Sequence, residues 1–170
     1  MTDSLCECRF IEVDYNTRED YSKEGASTMQ VMTNTISPEE YMAMRKAVGW
    51  HEFPLEQAAE GLKNCYIWCI REDDRPIALG RIIWDHGYVI YIADVIVLPE
   101  FQGKGLGRKI METMMDFIRA QMKPGYLFMV SLMSAKGKNE FYKKFGFVDR
   151  PSEQFGPGMH QWLEASDKKE

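Results

Sequence analysis

The chain has 170 residues, 45% hydrophobic and 28% charged, with a net charge of −5. That is the size and composition of one globular domain, able to bury a core without covalent or metal staples. The acidic balance excludes a general nucleic-acid binder, and no apolar stretch is long enough to span a bilayer.

Residues 1–27 are polar and charged, with one short strand candidate, "CRFIEVDY", followed by loop. Cys6 and Cys8 form a lone C-x-C there. Cys65 and Cys69 lie in the apolar run "CYIWCI". No second pair with suitable histidines follows, so the four read as free thiols rather than a zinc site. The N-terminus lacks the pattern of a secretory signal, and the expected location is the cytoplasm.

From Thr28 the patterning sharpens. "TMQVMTNTI" reads as a strand. Ser37 then precedes "PEEYMAMRKAVGW": serine at the N-cap, proline at the first helical position and glutamates in the first turn mark a helix start, and Gly49 a stop. A second short helix is expected within "PLEQAAEGL". "CYIWCIRED" and "RPIALGRIIWD" read as two strands around an Asp73-Asp74 turn. After the turn "DHG", the segment "YVIYIADVIVL" is apolar nearly throughout, as a strand covered on both faces should be. Asp94 is its one charge.

A glycine-rich stretch, "QGKGLG", separates that strand from a helix predicted over about 104–122, whose Leu106, Ile110, Met114, Phe117 and Ile118 share one stripe. "YLFMVSLM" is the next expected strand, "KGKNEFYKKF" a short helix ended by Gly146, and "GFVDR" and "MHQWLE" the last strands.

Glycines between a strand and a helix suit phosphate, because backbone N–H groups can be approached closely and the helix N-terminus favours negative charge. The triphosphate loop requires G-x-x-x-x-G-K-[ST], and no such series is present. The dinucleotide fingerprint requires an acid after the following strand, which here ends "SLM". The pattern that fits is Q/R-x-x-G-x-G/A, matched by Gln102, Gly105 and Gly107. With the strand order from Thr28 and the segment "NEFYKKFGF", which is similar to a Y-x-K-x-G-F motif, the chain resembles the GNAT superfamily of acetyl-CoA-dependent N-acetyltransferases. The resemblance covers 28–164, leaving 1–27 as an extension and 165–170 as a polar tail. It implies a mixed α/β fold with a mostly antiparallel sheet of six to seven strands, flanked by helices and splayed at the acetyl-CoA site.

It also implies roles for individual residues. The loop from Gln102 through Gly103, Lys104, Gly105, Leu106, Gly107 and Arg108 is expected to hold the pyrophosphate of coenzyme A. Backbone groups of Val95 and Val97 are expected to pair with the pantetheine arm, and Asn139 to bond it. One or two of Lys136, Lys138, Lys143 and Lys144 are candidates for the 3′-phosphate, against ordinary solvation. Tyr142 matches the family tyrosine that protonates the leaving thiolate. No metal is implied.

The acceptor end is less defined. A carboxylate in an apolar strand is costly unless paired, so Asp94 either bonds nearby backbone or an arginine such as Arg81, or serves the reaction by orienting the substrate amine or relaying its proton through water. The family's polyamine acetyltransferases carry a Glu-Asp pair where this chain has Ala93-Asp94, so the acid proposed there as general base is missing. Trp50, His51 and Glu52 follow the first helix, where the family places the acceptor wall. Trp50 is expected in the pocket, Glu52 is carried as a possible acceptor contact, and solvation is the default for His51. The turn-rich "RPSEQFGPGMHQW" either closes on the acceptor site or forms a dimer contact. The expected activity is acetyl transfer to a small-molecule primary amine by direct attack, with no nucleic-acid or membrane partner and a homodimer as one assembly. A protein N-terminus or lysine is the alternative acceptor, and a non-catalytic acetyl-CoA-binding module the alternative of another class.

Overall fold

The computed structural model describes residues 29–163. The expectations for Cys6, Cys8, the 1–27 extension and the 165–170 tail lie outside that range.

Ser37 starts the first helix as its sequence requires. Its hydroxyl accepts from the Glu40 amide and the Glu40 carboxylate accepts from the Ser37 amide, a reciprocal capping box. Helix α1 runs Pro38–Ala47, and α2 runs Leu55–Lys63. Strands β1 (Met29–Thr33), β2 (Tyr66–Glu72), β3 (Arg75–Trp84) and β4 (Val89–Val97) form an antiparallel meander. Asp73 and Asp74 make the tight β2–β3 turn with φ of 47° and 64°, the left-handed pair that a two-residue hairpin demands. Helix α3 (Leu106–Ala120) crosses back over the sheet, and β5 (Met129–Leu132) then pairs parallel to β4. A short helix α4 (Asn139–Lys143) follows.

The sheet order is β1-β2-β3-β4-β5, so it is mixed and mostly antiparallel, as expected. Five strands are present among the described residues, against the six to seven expected. "GFVDR" and the described part of "MHQWLE" carry no strand. The intervening Pro151, Gly156, Pro157 and Gly158 explain part of this, because proline cannot donate to a ladder and glycine weakens one. Glycine also delays α3, which begins at Leu106 rather than near Lys104, since Gly103 and Gly105 both have positive φ.

Helices cover both faces of the sheet. At Gly80 of β3 an added Cβ would lie 2.5 Å from Ile110 Cγ2 and 2.9 Å from Met114 Cε, so α3 rests directly on that backbone. The next residue, Arg81, projects to the opposite face, where its guanidinium meets Tyr41 of α1. The core draws on both layers, with Ile77, Leu79, Ile82, Ile90, Ile110, Met111 and Met114 almost wholly buried. No described helix is long and apolar enough to cross a membrane.

Candidate active site

Strand β4 builds the centre of the site through an irregularity. Leu79 pairs with Ile96 and Arg81 with Ala93, so the single residue Gly80 faces both Asp94 and Val95. This is a β-bulge. Asp94 takes φ of 50°, a left-handed conformation that costs most residues energy and that aspartate tolerates better. The parallel pairing with β5 covers Val89–Ile92 and stops there, whereas β4 continues to Val97. Beyond Ile92 the two strands part, and no described strand pairs with Asp94–Val97 on that side.

The glycine loop lies at the end of that gap. Gly103 and Gly105 adopt φ of 77° and 83°, and Gly105 caps α3 without a side chain. The first helical bond of α3 runs from the Lys109 amide to the Gly105 carbonyl at 3.1 Å. The amides of the turn before it are the donors a helix start leaves for an anion. Gln102 anchors the loop, its side-chain amide donating to the Val97 carbonyl at 3.0 Å. A Cβ on Gly107 would meet Phe141 at 3.5 Å and Val97 at 3.6 Å, so loop, β4 and α4 converge there.

Tyr142 of α4 is half-buried against Phe141 and Phe147. Burial, and then the nearby Tyr91 phenol, hold its hydroxyl above the usual phenol range. Tyr91 on β4 is raised as well, mainly by burial, and it feels the charges of Asp94 and Arg81. Tyr91 and Asp94 lie three residues apart on β4.

Three elements form a buried ionic cluster around Asp94. Asp94 Oδ1 accepts from Arg45 of α1 at 2.8 Å, and its Oδ2 accepts from Arg81 of β3 at 2.5 Å and from the Tyr41 hydroxyl at 2.6 Å. Side-chain exposures are 10% for Arg45, 17% for Arg81 and 12% for Asp94. Burial, then Asp94, push the Tyr41 phenol up to about 12. Burial opposes the Arg81 charge, but Asp94 more than offsets it and the guanidinium is held more firmly protonated. The Arg45 guanidinium also donates to the His51 carbonyl at 3.3 Å and packs over Phe53 and Trp50, 4.9 and 5.3 Å from their ring centres.

Residues 63–149, half of the chain, match the family model described as an acetyltransferase (GNAT) domain. The chain belongs to the GNAT acetyltransferase family. Among solved structures, a probable acetyltransferase of unknown function from methicillin-resistant Staphylococcus aureus is 32% identical, with a TM-score of 0.72, over 80% of this chain and 100% of that one. Among sequence relatives, the uncharacterized N-acetyltransferase ycf52 of Porphyra purpurea is 29% identical over 70% of this chain and 69% of the relative. The histone acetyltransferase TAP1 of Glycine max is 33% identical over 64% of this chain and 51% of the relative. The chain therefore spans about half to two thirds of the length of these two sequence relatives.

In this GNAT domain the end of the bulged strand, the glycine loop and α4 meet at Val97, Gly107 and Phe141, whereas several expected contacts are directed elsewhere. Lys104 sits over the Phe101 ring, 4.6 Å from its centre, and Arg108 is 3.9 Å from Glu112. The Asn139 amide donates to Asp149 at 2.6 Å, and its oxygen accepts from Ser134. Lys143 is ion-paired to Glu140 and Asp149. Glu52 is exposed and ion-paired to Lys46. Trp50 borders the cluster, but with a guanidinium already against its ring. His51 is exposed and touches Trp162, 5.0 Å between ring centres, which brings the C-terminal segment to this end of the domain. Asp94 is paired with Arg81, one of the alternatives its sequence left open, and also with Arg45 and Tyr41.

Sequence reasoning missed Tyr41, Arg45 and Tyr91. Arg45 is buried on a helix whose other charges are exposed or only partly buried, and helical spacing alone had a weak signal: Tyr41 and Arg45 are one turn apart on one face. Among the described residues no group of three or more His, Cys, Asp or Glu could hold a metal ion.

Proposed function

We propose that the domain transfers the acetyl group of acetyl-CoA to a primary amine by direct attack, with Tyr142 as general acid. The observation that carries this reading is the gap between β4 and β5 with the glycine-started α3 at its end, where α4, the helix of Tyr142, meets Gly107 through Phe141. In this reading the loop amides from Gly103 to Arg108 take the pyrophosphate, and the β4 backbone at Val95 and Val97, which has no β5 partner, takes the pantetheine arm in place of a strand, with the Val97 carbonyl already held by Gln102. A β4 amide at the bulge donates to the thioester oxygen as it gains charge. The amine arrives neutral, because a protonated nitrogen has no lone pair to attack with. Nitrogen bonds to the acetyl carbon, the carbon–sulfur bond breaks, the thiolate takes the Tyr142 proton, and the proton shed by the nitrogen returns through water to the Tyr142 phenolate. A phenol held above its ordinary range keeps that proton until the thiolate forms.

The acceptor in this reading is a small molecule. The histone acetyltransferase name of the Glycine max relative favours a polypeptide lysine as the second reading. Tyr142→Phe tests the mechanism. Turnover should fall about 10²–10⁴-fold, the contribution of a positioned acid, while the acetyl-CoA dissociation constant stays within twofold. Wild-type turnover in that variant removes Tyr142 from the reaction.

A further inference from the structure

The ionic cluster at the acceptor end carries an unbalanced charge. Arg45 and Arg81 each contribute a positive charge, and Asp94 is the only carboxylate ion-paired to either among the described residues. Tyr41 is a neutral phenol at ordinary pH. The acids that could restore the balance are engaged elsewhere: Glu40 with Arg71, and Glu52 with Lys46. One net positive charge is left among groups whose side chains are 10–17% exposed. Isolated buried charge is strongly disfavoured, so an anion brought to this place is attracted and a second cation repelled.

Hydrogen bonding points the same way. Two guanidiniums offer more N–H donors than Asp94 can accept, and Arg45 spends others on the Tyr41 hydroxyl at 3.4 Å and the His51 carbonyl at 3.3 Å. Arg45 Nε is fully buried with no acceptor among the described residues. The rings of Trp50, Phe53 and Tyr41 hold the Arg45 guanidinium in position rather than leaving it to follow solvent. The cluster also adjoins the reacting centre. Asp94 is a bulge residue itself, next in the chain to Val95 and opposite Gly80.

We propose that Arg45 and Arg81 form an anion subsite, and that the acceptor is a primary amine carrying a carboxylate or phosphate group a few bonds from its nitrogen. This rests on the acetyl-transfer reading above and narrows it. A guanidinium fork matches either oxyanion, whereas a polyamine would bring positive charge to a site already positive. Asp94 then acts as a positioning residue that fixes the two arginines.

The test measures coenzyme A release from acetyl-CoA with matched acceptor pairs. Phenylalanine is compared with phenethylamine, 4-aminobutyrate with butylamine, and glucosamine 6-phosphate with glucosamine, with spermidine as the polycation. The anionic member of at least one pair should exceed its partner at least tenfold in kcat/KM, and whether the amino acids or the sugar phosphate respond tells carboxylate from phosphate. Arg45→Met should bring that ratio towards one, and Arg45→Lys should restore part of it. The ratio is read first on the unaltered chain, so a variant that fails to fold does not remove the test. Ratios of one or below, a preference for spermidine, or labelled acetate found only on polypeptide lysines would each overturn the anion subsite. Release with no amine at all, while acetyl-CoA still raises the melting temperature, would instead sink the acetyl-transfer reading.

Discussion

Replacing Asp94 by Asn separates the structural from the chemical work of this residue. The amide keeps nearly the same shape and can still accept from the Tyr41 hydroxyl, but it loses its charge. Two guanidiniums, now 2.8 and 2.5 Å from the carboxylate, would then face each other with no negative charge between them, at side-chain exposures of 10% and 17%. Breaking a buried ion pair costs about 3–5 kcal/mol, and here two arginines lose one partner. At about 2–4 °C per kcal/mol for a domain of this size, the melting temperature should fall by roughly 10 °C. Thermal unfolding followed by circular dichroism reads this directly. A second charge deletion sharpens it: Asp94→Asn combined with Arg45→Met should cost less than the two single changes added together, because the repelling pair is gone. A melting temperature within about 2 °C of the parent for Asp94→Asn would refute the reasoning, and the cluster would not be the buried electrostatic unit described.

Gly80→Ala should destabilise by about 1–3 kcal/mol, the usual range for overpacking, because the new methyl carbon meets Ile110 and Met114 inside contact distance; a urea midpoint equal to the parent's would show that α3 gives way freely. Tyr41 supplies a pH dependence. Its folded pKa, about 12, lies above the ordinary value of 10.0, so the fold holds its proton more tightly than the unfolded chain does. That contribution is complete below pH 10 and is lost as the pH rises towards 12. The melting temperature should drop over this window, and the drop should be smaller in Tyr41→Phe.

The two halves of the site differ in how far the sequence reveals them. The donor side depends on local backbone. A left-handed φ at Gly103 and Gly105, a helix start without a capping side chain and an apolar strand before it are properties of consecutive residues, and "QGKGLG" carries them in order. The Ser37 capping box and the Asp73-Asp74 turn are legible for the same reason. The sheet's extent is less so: "GFVDR" has strand-forming residues, but a strand also requires a partner edge, and that is a long-range condition.

The acceptor side is decided by charges that meet only after folding. Asp94 and Arg81 are 13 residues apart, and Asp94 and Arg45 are 49 apart. The sequence could show that a carboxylate in a buried strand needs a partner, and it offered Arg81. It could not show that a second arginine arrives from α1, that Trp50 would cover this arginine instead of a substrate cation, or that Glu52 would be spent on Lys46. Local spacing fixes backbone geometry, and therefore the glycine-loop end. Coulomb interactions depend on distance through space, so the sign of the charge around Asp94 is set by the tertiary fold alone.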